Sequence, residues 1–143
     1  MNVKTDTKAQ EIMVERFGHD TLLSVATMED GKPYVRIVNA YYEDGCFYII
    51  THAFSNKIKQ IEKNPIVAVC GDWFTGHGIG ENLGYICSET NLPMLKKLRE
   101  VYASWYGNGD VNESDPNMCL LRIRLTDGVL FNHGTRYELD FGD

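Results

Sequence analysis

The sequence predicts a mainly β fold: an antiparallel β-barrel of six to seven strands with accessory helices, in a single domain spanning residues 1–143. Three observations point there. Short stretches in which apolar and polar residues alternate are separated by tight-turn signals at Asp30-Gly31, Asp44-Gly45 and Asp127-Gly128. Helical periodicity is confined to a segment near each end and one short segment between hairpins, unlike the regular strand-helix alternation of a doubly wound sheet. Gly76, Gly78 and Gly80 stand at alternate positions, a spacing that suits a bend or bulge at the corner of a small barrel.

Taken in order, residues 8–17 read as a helix with Ala9, Ile12, Met13 and Phe17 on one face, Thr7 as cap and Gly18 as stop. Its expected role is to cover one open end of the sheet. Strands are expected at 22–27 and 34–42 about the Asp30-Gly31 turn, and at 46–51 after Asp44-Gly45. On 34–42, Val35, Ile37, Asn39 and Tyr41 share one face, and Tyr34, Arg36, Val38, Ala40 and Tyr42 the other. Both faces are partly apolar, which suits a strand with one side in the core and the other against a second subunit or a flat ligand. A short helix capped by Ser55 follows, with Ile58 and Ile61 inward and Asn64-Pro65 ending it.

A fourth strand is expected at 66–74, a glycine corner at 75–80 and a fifth strand at 81–87. The corner is not read as a dinucleotide loop, because that fingerprint opens a helix after a parallel strand. Residues 92–106 read as the longest helix, with Pro93 in its first turn, Gly107 as its stop, and Leu95, Leu98, Val101, Tyr102 and Trp105 as its apolar stripe. The acidic, Asn- and Gly-rich stretch 108–117 reads as a solvated loop. A last hairpin is expected from 118–125 and 129–131 about Asp127-Gly128, and the tail from 136 onwards as one extended segment.

Charge narrows the partners. With a net charge of -6 there is no basic surplus for a nucleic-acid backbone or an anionic membrane, so any anion must be held by a local cluster. Cys46, Cys70, Cys87 and Cys119 form no CxxC pair, and His19, His52, His77 and His133 supply no ligand spacing, so no metal site is expected. The first ten residues lack the apolar core of a leader, and no apolar run approaches the ~18 residues of a membrane span. A reduced, cytoplasmic protein is the expectation.

The chemistry concentrates in residues 51–63 and in Arg36 on the preceding strand. Lys57 and Lys59 fall in or near the first turn of the short helix, where the positive end of the dipole disfavours cations, and no acid follows until Glu62. An isolated lysine pair would be a solvated helix face. Here free N–H groups at a helix start, the Ser55 hydroxyl, Lys57 and the planar fork of Arg36 together suit a phosphate.

In their order these motifs resemble the pyridoxamine 5'-phosphate oxidase-like, FMN-binding split-barrel family. The resemblance is carried by the hairpin LLSVATMEDGKPYVRIV, the block CFYIITHAFSNKIKQIEKNPIVAV and the glycine-rich corner, most specifically by Arg36-Ile37-Val38 followed by Thr51, Ser55, Lys57 and Asn64-Pro65. It implies a homodimer holding FMN at the subunit interface, with a small-molecule substrate over the exposed flavin face. By this resemblance Arg36 and Lys57 neutralise the phosphate, and Ser55 and Asn56 bind it. The backbone of Arg36, Ile37, Val38 and Asn39 runs beside the isoalloxazine ring, Ile50, Thr51 and His52 line its other edge, and Trp73 or Trp105 closes the pocket from the partner chain. His52 is similar in place to a functional histidine of the nitroimidazole-resistance relatives, with a shorter spacing to Lys57. Arg122, Arg124, His133 and Arg136 do not match the carboxy-terminal set that binds pyridoxamine phosphate. The implied function is therefore an FMN-dependent oxidoreductase related to that enzyme but distinct from it, with no catalytic side chain assigned. The alternative is a non-catalytic dimeric module that holds flavin or haem as an electron carrier, store or sensor.

Overall fold

Strands β1 (Thr21–Glu29), β2 (Lys32–Glu43), β3 (Cys46–His52), β4 (Ile66–Gly71), β5 (Phe74–Tyr85), β6 (Met118–Asn132) and β7 (Thr135–Asp140) form one antiparallel sheet in the order β3-β2-β1-β4-β5-β6-β7. Strand β3 also pairs with β6, from Cys46 opposite Arg124 to His52 opposite Met118, which closes the first six strands into a barrel and leaves β7 on its rim. Closure removes the unpaired edges that an open sheet would expose. The computed structural model describes residues 7–142; residues 1–6, part of the polar stretch behind the leaderless reading, and Asp143 at the end of the expected extended tail lie outside the described residues.

Period-two patterning fills the interior. Leu23 and Val25 of β1, Phe47 and Ile49 of β3, Val67 and Val69 of β4, and Leu121, Ile123 and Leu125 of β6 all point inward and are buried. Each such side chain contributes about 1.5–3 kcal/mol of transfer free energy. Helix α1 (Thr7–Phe17) plugs one end: the Phe17 ring lies 5.7 Å from Phe47 and 5.5 Å from Phe74. Helix α2 (Asn56–Lys63) covers the other end, and Gly80 lets it approach: a Cβ there would lie 2.8 Å from the Ile61 side chain. Helices α3 (Leu92–Val101) and α4 (Ala103–Tyr106) pack outside the barrel, where Leu95, Leu98 and Tyr102 join Ile86, Met118 and Leu120 in a second buried cluster. The outer face of β1 and β2 has no such cover, and Leu22, Val35 and Ile37 are 65–71% exposed there.

Four expected boundaries are corrected. The fourth strand stops at Gly71; the chain turns through Asp72 and Trp73, whose φ is 51°, and restarts at Phe74 opposite Gly71. The glycine stretch and the expected strand 81–87 then run together as β5, with a register shift between His77 and Gly78 where a bulge was anticipated. Strand β6 runs unbroken through Asp127-Gly128. Gly128 serves close packing, since a Cβ there would meet the Phe74 ring at 2.8 Å, and the chain reverses instead at His133-Gly134, with φ of 49° and 80°. The long helix divides at Tyr102, which leaves helical geometry at φ -96°, ψ 16°, is fully buried, and donates its hydroxyl to the Tyr48 carbonyl at 2.8 Å. By contrast Asp30-Gly31 and Asp44-Gly45 have the paired positive φ of two-residue hairpins.

Candidate functional site

The inward face of β2 carries Arg36 towards the end of the barrel that α2 covers. Its Nη1 donates to the Thr27 hydroxyl at 2.7 Å and the Val25 carbonyl at 3.2 Å, and its Nη2 donates to Gln60 Oε1 at 3.0 Å. Thr27 and Gln60 are themselves buried, and the Thr27 hydroxyl donates to the same Gln60 oxygen. Burial lowers the Arg36 pKa, yet from a value so high that the group stays charged. Its Nε–H has no acceptor among the described residues.

Lys57 reaches the same region from the first turn of α2. Its ammonium donates to the Thr51 hydroxyl at 2.6 Å, and that hydroxyl lies 3.4 Å from Ser55 Oγ. Desolvation first, and then the charge of Arg36, push the Lys57 pKa below the ordinary lysine value. Neither cation has a carboxylate partner among the ion pairs of the described residues. Ser55 takes the extended N-cap conformation, with φ -65° and ψ 153°, but makes no capping side-chain bond, and α2 has no acid in its first turn. The first-turn N–H groups and the helix dipole therefore add to two mutually repelling cations, an arrangement that attracts an anion. Lys59 takes no part in this; it points to solvent.

Of the residues expected to form the site, Arg36, Thr51, Ser55 and Lys57 come together. Asn56 is exposed at the first position of α2, Val38 packs on the main core, Ile37 is exposed on the outer face, and Ile50 lies under the α3–α4 cover. His52 accepts the Phe54 N–H on Nδ1 at 3.2 Å, which leaves Nε2–H to donate to Asp115 at 3.2 Å. Both ring nitrogens thus hold the turn leading into α2. Asn39 and Trp105 meet elsewhere: Asn39 Nδ2 and Trp105 Nε1 each donate to one Asp20 carboxylate oxygen at 2.9 Å. Trp73 stands at the α1 end of the barrel. It is 72% exposed, its ring centroid is 6.4 Å from that of Phe131, and Arg16 holds its turn through the Asp72 carbonyl at 3.1 Å.

Sequence reasoning missed Thr27 and Gln60. Their signal is positional: Thr27 continues the inward series Leu23, Val25 on β1, and Gln60 lies among the inward residues Ile58 and Ile61 of α2. Among the described residues no three His, Cys, Asp or Glu side chains gather as a metal site, and no helix is long and apolar enough to cross a membrane.

The family model for pyridoxamine 5'-phosphate oxidase matches residues 9–130, from α1 through most of β6. The chain belongs to the pyridoxamine 5'-phosphate oxidase-like family. This family member is 25% identical to General stress protein 26 of Bacillus subtilis (strain 168) over 123 residues, covering 82% of this chain and 84% of that protein. A solved structure of an FAD-binding protein from Mesorhizobium loti superposes on it with a TM-score of 0.67 at 17% identity, covering 97% of this chain and 99% of that one. An F420 reductase does so with a TM-score of 0.62 at 17% identity, covering 80% of this chain and 94% of that one. At such identities the structural likeness is one of fold, and the six-strand barrel with one added strand is the split barrel of this family.

Proposed function

We propose that the protein is an FMN-binding flavoprotein that works as an oxidoreductase on a small molecule, as a homodimer in the cytoplasm. The observation that carries the proposal is the adjacent Arg36 and Lys57 pair, half-buried at a helix start with no acid beside it. Two positive charges suit one phosphate monoester, which carries about -1.5 to -2 at neutral pH. The FAD-binding and F420-reductase structures of like fold support a flavin-type cofactor in general terms.

In this reading Arg36 and Lys57 hold the phosphate, and Ser55 with the first N–H groups of α2, including that of Asn56, completes the cradle. Ile37, Val38 and Asn39 border the ring system along β2, with Ile50, Thr51 and His52 on β3. The bound flavin would supply the redox chemistry, and the chain supplies binding, orientation and electrostatics. A second copy is expected on the uncovered barrel face, where Ala26, Val35, Ala68 and Val129 line an apolar cleft of about 360 Å³. Trp73 lies away from Arg36 within one chain, so a role for it at the cofactor requires that second copy.

The test is titration of the apo protein with FMN, followed by flavin fluorescence, alongside sedimentation. A saturable site on a dimer supports the reading; absence of binding to well-folded protein contradicts it. A non-catalytic flavin carrier would bind equally well and differ only in failing to turn over with a nicotinamide donor. Haem is less well served, because both His52 nitrogens are already engaged.

A further inference from the structure

We infer that Gln60 sets the charge of the anion site: it orients Arg36 through a neutral amide where a carboxylate of the same shape would fit, and so keeps the guanidinium available to an incoming phosphate. The inference deepens the flavin reading above and rests on it for the identity of the ligand.

Gln60 is 4% exposed and Thr27 fully buried, so neither polar group can turn to water. Gln60 Oε1 accepts from both the Arg36 guanidinium, at 3.0 Å, and the Thr27 hydroxyl, while Thr27 Oγ1 accepts from Arg36 at 2.7 Å. The three side chains form a closed triangle that fixes the guanidinium plane before any ligand arrives. A buried, directional contact of this kind pre-organises a binding group.

Two other guanidiniums of the molecule use the other solution. Arg122 Nε is held by Glu81 at 2.9 Å, and Arg99 is held by Glu113 through two bonds of 2.9 and 2.8 Å. Helix α2 does contain an acid, Glu62, but it lies on the exposed side. A carboxylate at position 60 would cancel the Arg36 charge and occupy the electrostatic place of the phosphate. With an amide there, orientation and neutralisation are separated: the protein provides the first and the ligand the second.

The experiment compares wild type with Q60E and Q60L, each prepared without flavin. Two readings are taken: the thermal midpoint with and without inorganic phosphate, and the Kd for FMN. Q60E is expected to raise the midpoint of the apo protein, abolish the rise produced by phosphate, and weaken FMN binding by at least about tenfold. Q60L, which leaves Arg36 and Thr27 without their acceptor, is expected to lower the apo midpoint and weaken FMN by a smaller factor. A merely structural glutamine would not give Q60E a gain in stability together with a loss of binding. Q60E that responds to phosphate and FMN like wild type, has a lowered apo midpoint, or fails to fold overturns the inference. If wild type itself ignores phosphate and FMN, the flavin reading fails, and the apo midpoint of Q60E alone decides whether Gln60 holds open a charge-deficient site.

Discussion

Two groups of cations on this barrel differ in what neutralises them. Arg99 and Arg122 stand on the outside and each meets a carboxylate within 2.9 Å. Arg36 and Lys57 are carried to the barrel end, lose solvent, and meet only hydroxyls, carbonyls and an amide. Hydrogen bonds are made in both places; charge is balanced in only one. Arg16 shows that an arginine can also be held by carbonyls and an amide alone, so what sets the barrel end apart is a second uncompensated cation, Lys57, beside Arg36. In the proposed reading this imbalance suits an anion with about two charges.

The largest effect expected from breaking this contrast is in the double variant R36A/K57A, which removes both uncompensated charges. Each charge-assisted contact is worth about 1.5–3 kcal/mol, so either single variant should weaken FMN binding by roughly ten- to a hundredfold. The double variant should show no saturable binding in a fluorescence titration, while the circular dichroism of the barrel is retained. Unchanged affinity in both single variants would mean that the phosphate lies elsewhere.

Next in size is the effect of the uncovered face. Val35→Glu with Ile37→Glu would put four like charges into the proposed two-fold contact, and sedimentation should then find monomers. A variant that remains fully dimeric would place the interface on another surface.

A smaller effect concerns pH. Lys57 has a folded-state pKa below its unfolded value, so in the window between the two the unfolded chain binds the extra proton. Apo stability should therefore rise with pH through that alkaline window, and FMN affinity should fall as Lys57 loses its charge. A K57M variant should lack both trends. The paired region has a slope of the same sign but in the acid range: Arg99 first, and then Tyr106, hold the Glu113 carboxyl below its usual pKa. Its contribution is present above the unfolded-state pKa and is lost as pH falls through the folded-state value. Because this pair is solvent-screened, E113Q should cost at most about 1 kcal/mol in denaturant unfolding and leave FMN binding unaltered.

Legibility in the sequence followed the range of the interactions. Asp30-Gly31 and Asp44-Gly45 were readable because a two-residue hairpin needs positive φ at both positions, a local demand. Asp127-Gly128 gave the same signal for a different reason: Gly128 makes room for Phe74, a partner more than fifty positions away. Likewise Lys57 and Lys59 looked equivalent in a one-dimensional pattern, and only the packing of α2 sends one inward and the other to solvent. The Arg36, Ser55 and Lys57 set was accessible from motif order, but its polar floor was not. Thr27 and Gln60 read as ordinary interruptions of apolar faces until the barrel brings them to Arg36. The Asp20 junction of Asn39 with Trp105 spans 85 positions, and no local pattern announces it.

The central claim, that an acid-free cation pair at the start of α2 receives the phosphate of a flavin, is tested most directly by comparing FMN with riboflavin. The two share the ring system and ribityl chain and differ in the phosphate. Calorimetric titration of the apo protein should give a Kd for FMN at least about a hundredfold lower than for riboflavin, the equivalent of losing one or two charge-assisted contacts. Equal affinity for the two would show that the phosphate is not what Arg36 and Lys57 hold, and would contradict the account.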